Sequence, residues 1–365
     1  MRAASWLLLC SVIGLTACGS SSPVTPPPPL YSYTSVTPSA TGTPNSVVVF
    51  GNFEYVSVQQ TGQIFTYDFS SGIQVQVGMP YTTPCSSPSG MAIVQEGSAN
   101  IMAVVCYDSD SLLTLNVAAN GSLSPLGSVA IYGQPYPEIA QDGTNIFVPT
   151  FPLSCVCITS SNGTVVKVDV SSPSVPTITG IAALASPFPG AVADGTALAA
   201  SGGYIYVASG SETAPLGNTS SSSVQVVNEA TMQLVGSPLG VPHSPQRIAA
   251  SGGVAYVTLF DAEGLESIDI SNPASLSMLS TVNPATPSIC NALGLALRET
   301  TAYVGCYQQG TIDRINVNAP AAMTETNYIS GMGSPQSMVF SGSYLFVVSA
   351  AAGGSVNQVY VGPTN

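Results

Sequence analysis

The sequence predicts an all-β fold, a seven-bladed β-propeller with four antiparallel strands in each blade. One unit recurs seven times: an apolar run, a tight turn, and a second short run of β-branched and aromatic residues. The centres of that second run recur every 43 to 59 residues, the period of a propeller or a similar repeat array. They are Tyr55, Ala103, Phe147, Tyr206, Tyr256, Tyr303 and Phe346.

Each repeat contains four strands, a to d. The turn between strands a and b is rich in glycine, as in Ser251-Gly252-Gly253, because a two-residue hairpin needs a positive φ. Strand c ends in Asp or Asn in six repeats. This pattern predicts turns rather than a metal site, because these residues fall in different blades and fold back on their own backbone. The six are Asp68, Asn116, Asp169, Asn228, Asp269 and Asn316.

The last repeat ends after its third strand, at Gly362. We therefore expect residues 31–37 to supply its outer strand, which closes the ring and leaves no open sheet edge. The predicted organisation is a lipoprotein signal peptide at 1–17, a lipid-anchored Ser/Pro-rich tether at 18–30 and a single propeller domain at 31–362. The predicted blades are 44–80, 88–131, 137–184, 195–241, 245–283, 290–331 and 335–362, the last completed by 31–37.

The repeats resemble those of the YVTN and LVIVD β-propeller families, and more loosely the lactonase-like and NHL propellers. Residues 264–273, Gly-Leu-Glu-Ser-Ile-Asp-Ile-Ser-Asn-Pro, are similar to the LVIVD pattern, and residues 168–173 repeat it. The resemblance covers about 44–362 as a pattern, and it implies the fold. Propellers of this kind include surface-layer and adhesive proteins, binding modules and some enzymes, so the fold does not choose among these functions.

The N-terminus indicates export. Arg2 is followed by an apolar stretch that is too short for a membrane span, and Leu15-Thr16-Ala17-Cys18 resembles the bacterial lipobox. The resemblance implies that the mature chain starts at Cys18, carries lipid there and is attached to the bacterial cell envelope. The alternative is an ordinary signal peptide with an incidental cysteine.

Six cysteines follow Cys18, an even number that indicates disulfides in an exported chain. Cys106 and Cys306 occupy the same slot, just after strand b, while Cys85 and Cys290 each precede strand a. Because these two positions lie at the same end of an antiparallel hairpin, we predict Cys85–Cys106 and Cys290–Cys306. The remaining pair, Cys155 and Cys157, is left for a possible third disulfide. A zinc site is disfavoured because the single His, His243, lies in another blade.

The charge balance excludes nucleic acid as a partner. The chain has a formal net charge of −13, and nucleic-acid binding needs a basic surface. Only 6% of the residues are charged, so the surface must be rich in hydroxyl and amide groups. This composition suits an envelope protein that binds a protein or glycan. We expect a monomer. We also expect no cofactor, because the sequence has no Walker loop, and it lacks the G-x-S-x-G elbow of one class of nucleophile.

The loops between strands d and a predict a binding face that combines aromatic and polar residues. The alternative is that the aromatic residues only cover the blade ends. The aromatic and basic candidates are Tyr81, Tyr132, Tyr136, Phe188, His243 and Arg247. A polar ring is expected just after the proline that precedes strand a, at Asn45, Ser89, Glu138, Gln246 and Gln336.

The sequence leaves three other interpretations open: a hydrolase, a structural protein and a calcium site. One is a lactonase-like or other hydrolase that uses His243, Arg247 and Glu138 as its acid–base groups. Another is a structural surface protein with no discrete ligand. The acidic residues of two b–c loops are calcium candidates, although their spacing matches no known calcium loop and solvated loops are the favoured interpretation. They are Asp108, Asp110, Asp261, Glu263 and Glu266.

Overall fold

The computed structural model describes residues 31–39, 41–151, 162–186, 194–210, 222–242, 244–260, 264–284, 290–350 and 353–363. Within these ranges the chain forms seven antiparallel sheets and three short 3₁₀ turns. The predicted fold class, an all-β propeller of seven blades, is confirmed. These ranges contain no helix with the length and apolarity that a membrane crossing requires.

The first four blades follow a short N-terminal strand, β1 (Tyr33–Val36). Blade 1 contains β2 (Pro44–Phe50), β3 (Phe53–Val58), β4 (Gln63–Asp68), β5 (Val75–Gln76) and β6 (Tyr81–Thr82). Blade 2 contains β7 (Pro88–Glu96), β8 (Ala99–Cys106), β9 (Ser111–Val117) and β10 (Leu123–Ala130). Blade 3 contains β11 (Gln134–Pro135), β12 (Ala140–Asp142), β13 (Asn145–Phe151), β14 (Thr164–Asp169) and β15 (Thr177–Ala183). Blade 4 contains β16 (Asp194–Ser201), β17 (Tyr204–Gly210), β18 (Ser223–Asn228), β19 (Gln233–Leu234) and β20 (Leu239–Gly240).

The last three blades are more regular. Blade 5 contains β21 (Pro245–Ser251), β22 (Val254–Leu259), β23 (Gly264–Asp269) and β24 (Ser277–Val282). Blade 6 contains β25 (Ala292–Arg298), β26 (Thr301–Cys306), β27 (Thr311–Asn316) and β28 (Thr324–Ser330). Blade 7 contains β29 (Pro335–Ser341), β30 (Tyr344–Ser349) and β31 (Ser355–Tyr360). The 3₁₀ turns are Gln59–Thr61, Tyr107–Ser109 and Pro320–Ala322.

The ring is closed by the N-terminal strand. Strand β1 pairs antiparallel with β31, with Thr34 opposite Gln358, and so becomes the outer strand of blade 7. A buried cluster containing Val56 and Phe346 joins blade 1 to blade 7. Closure therefore combines backbone pairing with apolar burial, as the truncated last repeat predicts.

Three blades depart from four continuous strands. Strand a of blade 3 is divided into β11 and β12, because Pro135 and Pro137 cannot donate ladder hydrogen bonds. Strand d is split in blade 1 and in blade 4. Gly78 and Gly236, with φ of 61° and 67°, lie in those breaks, in the left-handed region that glycine adopts readily.

Apolar contacts between neighbouring blades form the core. Seven buried clusters lie among the described residues, one at each blade–blade interface. The aromatic centres of the repeats pack against the following blade. The Tyr206 hydroxyl donates to the Ile270 carbonyl at 3.4 Å, and the Tyr256 hydroxyl makes the same bond to Val317 one blade later. Each blade thus buries its faces only against its neighbours.

The Asp and Asn residues that end strand c form turns, as predicted. The backbone amide of Ser271 donates to the Asp269 carboxylate at 2.9 Å, and Ser70 donates to Asp68 at 2.8 Å. The same i+2 bond forms at Asp169, Asn228 and Asn316. Asn116 is the exception: strand β9 continues past it, and Asn120 caps the turn instead.

Both predicted disulfides, Cys85–Cys106 and Cys290–Cys306, are present in the structure, with Cα–Cα distances of 5.8 and 4.8 Å. Cys155 and Cys157 lie outside the described residues. The buried Asp313 carboxylate lies 3.1 Å from the Cys306 sulfur, and burial raises its pKa to about 7. Cys290, Cys306 and Asp313 could together approach a metal ion, but the disulfide occupies both sulfurs.

Candidate functional site

The candidate site is a cavity of about 400 Å³ where the innermost strands of several blades converge. Its volume lies within the range of roughly 300–1,000 Å³ that is typical of small-molecule pockets. It opens on the face that carries the d–a and b–c loops. Its lining comprises Asn45, Tyr136, Pro137, Gln246, Arg247, Phe260, Leu293, Tyr307 and Gln336.

A repeated β-bulge positions the polar part of this lining. In six blades the register of strand a against strand b shifts at the second or third residue of strand a. A bulge leaves a residue unpaired and turns its side chain out of the sheet pattern. Four of the cavity residues occupy such bulges: Asn45, Gln246, Leu293 and Gln336.

The aromatic part comes from the residues that directly follow strand b. The backbone amide of Phe260 donates to the Ser244 carbonyl at 2.9 Å, and Tyr307 makes the same bond to Asn291 at 3.0 Å. The Asn291 side chain also donates to the Phe260 carbonyl at 3.0 Å. These bonds fix the two rings beside each other, with centroids 6.3 Å apart.

A third ring, Tyr136, comes from the break between β11 and β12 in blade 3. Its backbone amide donates to the Pro149 carbonyl at 2.7 Å. Its ring packs edge-on against Phe151, with centroids 4.9 Å apart. Proline at 137 restricts the backbone next to it. The third aromatic wall is therefore held in place by its own packing.

One ion pair lies at the cavity wall. The Arg247 guanidinium contacts the Glu138 carboxylate at 2.7 Å and donates to the Gln246 carbonyl at 3.0 Å. Both side chains are largely buried, with 13% and 24% of their surface exposed. Burial raises the pKa of the Glu138 carboxyl, while the positive charge of Arg247 lowers it. The pair leaves the wall polar but electrically compensated.

Two glutamine side chains brace the wall. The Gln336 amide nitrogen donates to the carbonyls of Pro44 and Asn45, at 3.0 and 3.2 Å, and so ties blade 7 to blade 1. The Gln246 amide nitrogen donates to the Ser244 hydroxyl at 3.0 Å. The described residues provide no donor to the side-chain carbonyl oxygen of either glutamine. Both oxygens are candidate acceptors for a ligand.

The sequence-predicted site residues are only partly brought together. Asn45, Tyr136, Gln246, Arg247 and Gln336 line the cavity, and Glu138 reaches it through Arg247. Phe188 and His243 lie outside the described residues.

Three other residues of the predicted face or ring lie apart from the cavity. Tyr81 packs on the core between blades 1 and 2, and Tyr132 projects into solvent with 75% of its surface exposed. The prediction for Ser89 is wrong: it is fully buried, and its hydroxyl donates to the Val105 carbonyl at 3.3 Å.

Sequence reasoning missed Phe260, Leu293 and Tyr307. Their signal is positional: two directly follow strand b, and the third is the second residue of strand a. The predicted site residues come from the d–a loops or follow a proline. Leu293 follows Ala292 instead, and Phe260 and Tyr307 belong to b–c loops, so neither pattern includes them.

The calcium candidates do not form a site in the described residues. Asp108 is hydrogen-bonded by the Ser87 hydroxyl at the edge of a second, polar depression between blades 1 and 2. Asp110 adopts a left-handed conformation at the end of a 3₁₀ turn. Placing Glu266 in a solvated loop was wrong, because it lies fully buried in β23. Asp261 and Glu263 lie outside the described residues.

The closed ring defines a seven-bladed β-propeller, and its described innermost strands line a cavity of ligand size. Comparison with known families agrees: the LVIVD repeat model matches residues 156–183, 194–212 and 244–284, in blades 3, 4 and 5. These matches cover less than half of the chain. No curated protein matches the chain in sequence.

Solved structures of similar fold cover almost the whole chain. The virginiamycin B lyase from Staphylococcus aureus is 11% identical, covers 91% of this chain and 99% of its own, and gives a TM-score of 0.64. The Cps50 (Swd1) β-propeller domain from Myceliophteria thermophila is 10% identical, covers 91% of this chain and 100% of its own, and gives a TM-score of 0.65. BamB from Moraxella catarrhalis is 13% identical, covers 85% of this chain and 80% of its own, and gives a TM-score of 0.52. At such identities the likeness concerns the fold alone.

Proposed function

We propose that this chain is a binding module of the bacterial cell envelope, exported and held there by lipid on Cys18, that takes its partner at the central cavity. The cavity carries the proposal, because it joins aromatic walls to polar groups on one rigid scaffold. The two disulfides suit an oxidising, exported location. The partner is either a protein or a glycan.

The binding part is tested by capture from envelope extracts with the full chain. The bait proteins are the wild type, Tyr307→Ala and, as a matched control, Tyr132→Ala, which removes an aromatic side chain outside the cavity. We expect the wild type and the control to retain the same partner and Tyr307→Ala to lose it. Equal capture by all three proteins would contradict the proposal.

The anchoring part has a separate test. We expect Cys18→Ser to move the protein from the membrane fraction to the soluble fraction. The N-terminal peptide of the wild type should carry the mass of attached acyl chains. A soluble, unacylated wild type would refute the lipid anchor, but it would not affect the proposal that the cavity binds a partner.

A second candidate function, a hydrolase, is favoured by one observation. Glu138 and Arg247 are in contact at the cavity wall, and burial raises the pKa of Glu138 while the charge of Arg247 lowers it. A carboxyl beside a guanidinium can serve as a general acid or base. His243, the other predicted acid–base group, lies outside the described residues. The test is hydrolysis of a panel of lactones and esters by the wild type and by Glu138→Gln. Turnover that the substitution leaves intact would exclude this role for Glu138.

A further inference from the structure

We infer that the ligand of the central cavity is an uncharged saccharide, an inference that rests on the proposed binding function and narrows it to one chemical class. A sugar ring combines an apolar C–H face with hydroxyl groups around its edge. A site for it needs flat aromatic surfaces and hydrogen-bonding groups, without an unpaired charge. The described lining of the cavity provides this combination.

The aromatic surfaces are preorganised. Phe260 and Tyr307 are held side by side by backbone bonds from their own amides, and Tyr136 is wedged against Phe151. Aromatic rings that are already fixed pay little conformational entropy when a ligand stacks on them. Tyrosine also presents a polar tip next to its apolar face.

The hydrogen-bonding groups are primary amides. Asn45, Gln246 and Gln336 come from three different blades and meet at the same cavity through equivalent bulges. A primary amide offers both donors and acceptors, as a sugar hydroxyl does. Since the amide nitrogens of Gln246 and Gln336 are already engaged by the protein, their carbonyl oxygens accept from hydroxyl donors.

The electrostatics disfavour an anionic ligand. Arg247 is the one cation in the described lining, and Glu138 compensates it at 2.7 Å. An anion would have to compete with Glu138 for the guanidinium, in a chain whose formal net charge is −13. Phosphorylated, sulfated and uronic acid ligands are therefore disfavoured, and a neutral saccharide meets no such opposition.

Among the described residues, no large apolar side chain that is strongly exposed lines the cavity. Several large apolar side chains that are exposed in the described residues lie on the outermost strands, far from the axis of the ring. Val75, Leu126, Ile181, Leu234 and Met278 are on β5, β10, β15, β19 and β24. They are spread over five blades. The concave cavity, in contrast, combines rings with amides and suits a small polar ligand better than a flat partner surface.

Calorimetric titration of the full chain in detergent micelles tests this inference. The probes are three neutral trisaccharides (chitotriose, maltotriose and cellotriose), trigalacturonic acid as the acidic counterpart, and a pooled synthetic heptapeptide library. We expect at least one neutral trisaccharide to bind. Tyr307→Ala and Phe260→Ala should each weaken that binding about tenfold or more, as expected for the loss of a buried aromatic contact.

Two controls separate recognition from misfolding. Tyr132→Ala, which removes an exposed ring outside the cavity, should leave the affinity unchanged, and Tyr307→Phe, which keeps the ring, should lose less than Tyr307→Ala. Binding of an uncharged ligand should also change less than about twofold between about 50 and 500 mM salt, because no ion pair is formed with it.

The outcomes distinguish the two proposals. If no neutral trisaccharide binds, or if trigalacturonic acid or a peptide binds instead and Tyr307→Ala abolishes that binding, the saccharide inference is overturned and the cavity remains a binding site. If no partner or probe depends on Tyr307 or Phe260, the proposed binding function fails as well.

Discussion

The buried carboxyl of Glu54 should make the stability of the ring depend on pH. Glu54 lies on β3 with no exposed surface, opposite Tyr67, which belongs to the buried cluster that joins blade 1 to blade 7. Its Oε2 accepts a hydrogen bond from the Gln74 amide at 2.7 Å, and no described residue donates to its Oε1. Burial raises its pKa from the ordinary value of 4.5 to about 8, opposed only by the bond from Gln74.

The sign follows from proton linkage. Between pH 4.5 and about pH 8 the folded state holds a proton on Glu54 that the unfolded chain has released, so stability must fall as the pH rises. The contribution is fully present below pH 4.5 and is lost as the pH passes through about 8. At 1.36 kcal/mol per pH unit, the loss between about pH 5 and pH 8 is about 3 to 4 kcal/mol.

The substitution Glu54→Gln isolates this contribution. Glutamine keeps an acceptor for Gln74 but does not ionise, so the variant should match the wild type near pH 5 and exceed it by about 3 kcal/mol near pH 8. The measurement is urea denaturation at several pH values with the disulfides intact. Glu266 and Asp313 are also buried, with pKa values raised to about 7, but both remain in the variant and cancel in the difference.

Glu96→Gln serves as the control, because Glu96 is exposed at a hairpin and its replacement should leave the pH profile unchanged. A difference between Glu54→Gln and the wild type that stays constant from pH 5 to pH 8 would refute the argument. It would show that the Glu54 carboxyl has the same pKa in the folded and the unfolded state, as it would if water reached it in the folded ring.

Four further predictions concern the scaffold. Gly90→Ala should lower the free energy of unfolding by more than about 2 kcal/mol, because its Cβ would lie 1.7 Å from the Pro137 carbonyl oxygen. Gly97→Ala, in open space at a φ of 58°, should cost about 1 kcal/mol in the same denaturation assay. Deleting residues 31–37 should expose the edge of β31 and cause concentration-dependent association, measured by light scattering; a monomer of unchanged stability would count against strand closure. Peptide mapping without reductant should link Cys85 to Cys106 and Cys290 to Cys306, and any link between the two pairs would contradict the strand alignment.

The repeat made the fold predictable, because each local signal pointed to the same structure. The Gly-rich hairpin turns, the Asp and Asn residues that end strand c and the truncated last repeat all agree with the observed blades. The equivalent positions of Cys106 and Cys306 after strand b, and of Cys85 and Cys290 before strand a, were enough to pair the four cysteines. Here the local sequence and the global fold support each other.

The candidate site was less predictable, because burial depends on what packs against a residue. Ser89 and Gln246 follow the same proline in their repeats, yet Ser89 is fully buried while Gln246 lines the cavity. Blade 2 has two residues in its bulge, Ser89 and Gly90, and the Pro137 carbonyl lies against Gly90. The register of a bulge and the approach of the neighbouring blade therefore decided which polar residue reached the centre.

The bulges explain how one repeated scaffold can hold a specific site. The backbone geometry at the start of strand a is nearly the same in six blades, but the residue it presents differs: Asn45, Thr196, Gln246, Leu293 or Gln336, with Ser89 and Gly90 in blade 2. Thr196 turns to the protein and donates to the carbonyls of Ala208 and Pro245, whereas the other four face the cavity. Changes at these positions alter the cavity lining without touching the strand pairing that carries the fold. Under the proposed binding function, specificity therefore depends on a few bulged residues and the aromatic rings beside them.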